Sequence, residues 1–143
     1  MTTKLTAHFA LEELTGTLHR GIDNRPPSAV VATLRDTAAR MEEVRSLLGD
    51  RVISVSSGYR CPALNRAVGG AKTSAHLTGH AVDFNCYGFG RPKAVCRAIA
   101  GSKLAFDQLI EEGTWIHISF DPRMRRQVLT KRPGGGYVLG LDD

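Results

Sequence analysis

The sequence predicts one α+β domain in which helices flank an antiparallel sheet. Three observations carry that expectation. Residues 28–48 repeat apolar side chains at spacings of three and four, the period of an amphipathic helix. Several shorter stretches alternate apolar and polar residues, the period of strands with one buried face. Helical and strand-like segments do not follow one another as repeated βαβ units, which argues against a doubly wound parallel sheet.

Taken in order, Ala10–Thr15 reads as a short helix stopped by Gly16. Asp23–Pro27 is a turn or extended segment. The long helix starts at Pro27 or Ser28 and carries Val30, Leu34, Ala38, Met41, Val44 and Leu48 on one face, with Gly49 just past its end. Arg51–Ser56 is β-branched and strand-like. Pro62 opens a short helix through Val68, ended by Gly69-Gly70. Residues 71–79 read as a loop. Gly79–Asn85 is a strand with His80, Val82 and Phe84 on one face and Ala81 and Asp83 on the other. Arg91–Ala100 is a helix. Phe106–Glu111 and Thr114–Phe120 are strands joined by a tight turn at Glu112-Gly113. In the second, Trp115, His117 and Ser119 oppose Ile116, Ile118 and Phe120. Gln127–Thr130 is a further strand candidate, and Pro133–Gly136 a glycine-rich turn. The expected core spans about residues 5–130 of the single domain 1–143, with a basic, Gly-rich tail over 131–143.

Composition narrows the class. The chain has 143 residues, 42% apolar and 23% charged, enough to bury a core without staples. Such a composition excludes a disordered tail, a collagen-like repeat and a disulfide scaffold. No apolar run approaches the length of a membrane span, so no membrane insertion is expected. The stretch Met1–Phe9 lacks a continuous apolar segment, so the expectation is synthesis in the cytoplasm without a signal peptide. Cys61, Cys86 and Cys96 show no CxxC spacing and read as reduced thiols, with a Cys61–Cys86 bridge left open. The net charge is +5, and Arg123, Arg125, Arg126, Lys131 and Arg132 crowd one segment. Such a cluster suits a nucleic acid, an anionic membrane or an acidic polymer such as the bacterial wall. No nucleic-acid-binding motif accompanies it, so no nucleic-acid partner is expected.

The chemistry concentrates in Ser74-Ala75-His76-Leu77-Thr78-Gly79-His80-Ala81-Val82-Asp83 and in Trp115-Ile116-His117. His76, Asp83 and His117 offer two imidazoles and a carboxylate, a sound three-ligand set for zinc with a fourth position open to water. His80 lies four residues from His76, but Gly79 between them argues for a loop and His80 points away from Asp83. Ser74, His76 and Asp83 lack the Gly-x-Ser-x-Gly elbow of a serine hydrolase. Cys86 is a weak alternative as a fourth ligand. His8 and His19 read as surface or packing residues.

Ser-x-His-x-x-Gly-x-Ala-x-Asp followed by Trp-x-His resembles the M15-type zinc D,D-peptidases, which include D-alanyl-D-alanine carboxypeptidases and phage endolysins. Ser57-Gly58-Tyr59-Arg60 with Leu64-Asn65, His8-Phe9, Glu13-Leu14, Asn24-x-Pro26 and Phe106–Ile110 extend the resemblance over roughly residues 5–130. It implies the Hedgehog/D,D-peptidase-like fold and one zinc ion per chain on His76, Asp83 and His117. It implies that Arg60 stabilises the oxyanion or holds a substrate carboxylate and that Ser74 binds the substrate. It further implies that Trp115 packs beneath the site and that Gly79 permits a special backbone conformation or close approach. Many members place a general-base Glu three residues before the last His, where this chain has Thr114. The phage-type pattern points to Glu112 instead, with Asp107 and Glu111 as alternatives. The implied substrate is a peptidoglycan stem peptide or muropeptide, cut at the terminal D-Ala-D-Ala bond or at an internal L-Ala-D-Glu bond. A monomer of phage or prophage origin is expected, acting on the wall after release or from within a virion. The rival is a non-catalytic, zinc-containing virion or wall-binding protein of the same fold.

Overall fold

The computed structural model describes residues 2–142. Four helices and six strands follow in the order α1 (Leu11–Thr15), α2 (Ser28–Leu47), β1 (Ser54–Ser57), α3 (Pro62–Ala67), a 3₁₀ turn (Ala75–Thr78), β2 (Ala81–Asn85), α4 (Pro92–Ala100), β3 (Gln108–Glu111), β4 (Ile116–Ser119), β5 (Gln127–Lys131) and β6 (Tyr137–Leu139). The strands form one sheet in the order β1-β2-β4-β3-β5-β6. All neighbours are antiparallel except β3 and β5, which run parallel. The sheet is therefore mixed at one pairing. The connection after β4 crosses over β3 before pairing, which short-range alternation in the sequence does not reveal.

One face of the sheet is covered. Val82 and Phe84 of β2, Leu109 of β3, and Ile116 and Ile118 of β4 are fully buried. They share a core with Leu34, Ala38, Met41 and Val44 of α2 and with Val95 and Ile99 of α4. Burying each such side chain stabilises by roughly 1.5–3 kcal/mol, so this two-layer contact holds the sheet in place. Among the described residues no helix is long and apolar enough to cross a membrane.

Leu14 of α1 is fully buried, and its carbonyl accepts the Tyr59 amide at 2.7 Å. That contact brings the backbone of residue 58 against α1. A Cβ on Gly58 would collide with the Leu14 carbonyl group, so only glycine fits. Asn24, nearly buried, locks the same segment: its amide donates to the Thr15 and Tyr59 carbonyls at 2.9 Å, and its side-chain oxygen accepts the Cys61 amide at 2.7 Å. All three cysteines are free, so no Cys61–Cys86 bridge forms. Cys86 is in the core, whereas the Cys61 sulfur accepts the Leu64 amide at the start of α3. Burial pushes the Cys96 thiol up to about 12.

Through residue 142 the segment expected as a tail is built into the fold. β6 pairs with β5 through Leu129–Leu139, Thr130–Val138 and Lys131–Tyr137, and the glycine-rich turn joins them. Thr130 is buried and donates to the Gly140 carbonyl at 2.7 Å.

Gly58→Ala tests the α1 contact. The added methyl should destabilise the fold by about 1–3 kcal/mol, the usual cost of overpacking. Urea unfolding reads this as a lower midpoint at unchanged slope; an unchanged midpoint would show that α1 is free to move aside.

Candidate metal centre

The site lies on the sheet face opposite the core. Register creates it: Asp83 of β2 sits directly across from His117 of β4. Because strand side chains alternate, residues whose neighbours Val82, Phe84, Ile116 and Ile118 point into the core must point out of it. His117 Nδ1 lies 3.0 Å from Asp83 Oδ1.

His76 reaches the same point from the 3₁₀ turn. Ser74 caps this turn, its hydroxyl oxygen accepting the His76 amide at 3.2 Å. Gly79 ends the turn in the left-handed region at φ 83°, where a Cβ would also press on Val30 and Leu34 of α2. Thr37 of α2 donates to the Gly79 carbonyl at 2.7 Å, fixing the turn to the helix. The Arg60 amide donates to the His76 carbonyl at 3.0 Å.

His76 Nδ1 donates to the Gly58 carbonyl at 2.7 Å. That bond leaves Nε2 as the lone-pair nitrogen, 3.2 Å from Asp83 Oδ1. An imidazole lone pair aimed at a carboxylate oxygen calls for a cation between them. Donor atoms of His76, Asp83 and His117 all lie within 4.8 Å of one another. Two neutral nitrogens and one carboxylate oxygen match the donor preference of zinc, so the residues present fit the ion. Burial would raise the Asp83 carboxyl, but the neighbouring His117 and His76 imidazoles hold it well below the usual range.

The group opens into a cleft of about 830 Å³. Its wall includes Gln108, Ile110 and Glu112, alternate residues along and just beyond β3. Glu112 closes the β3–β4 turn, its amide donating to the Trp115 carbonyl at 3.0 Å. Burial lifts its carboxyl above the ordinary range. Glu111, the alternative one residue earlier, faces the other way: its carboxylate accepts the Gly113 amide at 2.7 Å, and its charge is felt by Cys96 of α4. Asp107, the second alternative, is buried and clamped by Arg125, which donates to both its oxygens at 2.8 Å. Those bonds hold the Asp107 carboxyl well below its usual range. Asp107 is thereby committed to the segment leading into β5.

Arg60 reaches the cleft with its guanidinium already braced. Nε donates to Ser57 at 3.1 Å, Nη1 to Asn65 at 3.3 Å and Nη2 to Asp83 Oδ2 at 3.4 Å. Trp115 lines the cleft beside His117, and its indole N–H is buried without a partner. His80 stands apart from the metal group, its Nδ1 2.7 Å from the Thr78 hydroxyl. Cys86 is in the core and takes no part. Sequence reasoning missed Tyr137, whose hydroxyl lies 3.5 Å from Glu112 Oε1. The glycines that precede it signalled only a turn, and its partner strand β5 joins β3 by a non-local parallel pairing.

Three donors from protein, clustered at an open cleft with a carboxylate on the wall, form the layout of a hydrolytic metal site rather than a closed structural one. Residues 7–119 match the sequence model of the family described as Peptidase M15, and the chain belongs to that family. It is 32% identical over 77 residues to a zinc D-Ala-D-Ala carboxypeptidase of Streptomyces albus G. That stretch is 54% of this chain and 29% of the relative, so the chain matches less than a third of that protein's length. Zinc is the cofactor that the family and the His–Asp–His group support.

The Asp107–Arg125 pair predicts a pH effect. A carboxyl whose folded value is depressed contributes stability above its unfolded value near 4 and loses it as pH falls through the folded value. Asp107→Asn should therefore unfold more easily than the parent at pH 7, by about 1–3 kcal/mol. The gap should close towards pH 2 in denaturant titrations. A gap independent of pH would assign the loss to packing instead.

Proposed function

We propose that this protein is a zinc-dependent peptidase that hydrolyses an amide bond in peptidoglycan stem peptides. The observation that carries the reading is the convergence of His76, Asp83 and His117 at a cleft walled by Glu112. A zinc ion held there would supply a bound water of pKa about 7 and polarise the scissile carbonyl. The terminal D-Ala-D-Ala bond is the first substrate to test, since the Streptomyces relative is named for it; the internal L-Ala-D-Glu bond is the second.

The side chains divide the remaining work. Asp83 and the two histidines would hold the ion, with the Gly58 carbonyl orienting His76. Glu112 takes the proton of the attacking water and returns it to the leaving amine. Its raised pKa suits a group that must both accept and release that proton. Arg60 presents a rigid guanidinium edge to the developing oxyanion. Ser74, its oxygen already accepting the His76 amide, retains a hydroxyl proton to donate to the substrate.

Glu112→Gln should keep one zinc per chain and lose about 10²–10⁴-fold in hydrolysis. Asp83→Ala should lose both zinc and activity. Metal analysis and mass spectrometry of digested muropeptides read the two properties separately. Zinc retained with no product from any stem peptide would favour a wall-binding protein, and a fully active Glu112→Gln would remove Glu112 as the base.

A further inference from the structure

The arginines of the basic cluster near the C-terminus are engaged within the fold. Arg125 clamps Asp107, and Arg123 pairs with Asp121 at 3.1 Å. Arg126 donates to the Leu104 and Ser102 carbonyls at 2.9 and 2.8 Å, and Arg132 pairs with Asp142 at 2.7 Å. Lys131 is the exception. Among the described residues no carboxylate lies within ion-pair distance of it. Its ammonium instead sits 5.9 Å from the centre of the Trp115 ring.

Its position follows from register. Glu111 of β3 pairs in parallel with Thr130 of β5, which sets Glu112 beside Lys131. Lys131 in turn pairs with Tyr137 of β6. Trp115, Glu112, Lys131 and Tyr137 thus form one row across the end of the sheet, and all four line the cleft. Lys131 and Tyr137 both lie beyond the family match, which ends at residue 119. The β5–β6 hairpin supplies both residues to the wall.

We infer that Lys131 is a specificity-determining residue that recognises a carboxylate of the substrate. The inference rests on the peptidase reading above and names what its cleft selects. An ammonium held on an aromatic face, near the Glu112 carboxylate but in ion-pair contact with none, is placed to receive an anion on the peptide. Tyr137, packed on the same row, limits where that anion can sit. Stem peptides offer the charge from two sources, the C-terminal α-carboxylate and the free carboxyl of the D-Glu residue.

The test uses the zinc-loaded full chain and three pentapeptide stems ending in D-Ala-D-Ala. One is the free acid, one is the C-terminal amide, and one carries D-isoglutamine in place of D-Glu. Initial rates give KM and kcat. Trp115 is the chain's one tryptophan, so its fluorescence on rapid mixing reads binding before turnover. The parent should prefer the free acid over one of the two neutralised peptides by about tenfold in KM. Lys131→Met should erase that preference by weakening the acid, read as a rise in the acid's KM to that of the neutralised peptide. Lys131→Arg should restore it. Whichever neutralised peptide loses its disadvantage identifies the carboxylate. A parent with no preference, or a Lys131→Met variant that keeps it, would overturn the inference. If no stem is cut, the fluorescence comparison still decides whether Lys131 reads a carboxylate, while the peptidase reading fails separately.

Discussion

The pairing of β2 with β4 in the register that sets Asp83 opposite His117 is the constraint on which the rest depends. A slip of one residue would put Asp83 and His117 on opposite faces, turning one of them into the core and the slipped strand's apolar residues out of it. The apolar face against α2 and α4 forbids that slip, because it would leave large side chains wet and an ionisable group dry. Packing on one side of the sheet therefore defines the chemistry on the other.

The third ligand arrives by a longer chain of local contacts. α1 presents the Leu14 carbonyl to Tyr59, Gly58 comes close, and its carbonyl orients the His76 ring. Thr37 and Gly79 pin the other end of the turn that carries His76. Each link is a backbone group satisfied by a partner, so the histidine is positioned without bulk beneath it. The cost is a buried cluster of two imidazoles and a carboxylate, braced by Arg60. Ion binding there would convert that cost into stability, since the unfolded chain holds no such site.

Much of this was legible in the sequence for physical reasons. The 3.6-residue period of α2 and the two-residue alternation around Asp83 and His117 report local geometry directly. The choice of Glu112 over Glu111 rests on the family resemblance, since Glu112 lies in the turn beyond β3, where alternation says nothing. What escaped was non-local. The parallel β3–β5 pairing brings Lys131 and Tyr137 to the cleft across a connection that no periodicity describes. A run of glycines and basic residues reads as a tail until that pairing is known. Charge counting also leaves out non-local partners: four arginines of the basic cluster are engaged by Asp107, Asp121, Asp142 and carbonyl groups.

The site's central claim is the identity of the atoms that hold the ion. X-ray absorption at the zinc edge of the metal-loaded protein tests it most directly. Two imidazole nitrogens at about 2.0–2.1 Å with oxygen ligands at about 2.0–2.2 Å, one from Asp83 and one from water, are the predicted result. A sulfur ligand at about 2.3 Å would place a cysteine on the metal and contradict the account.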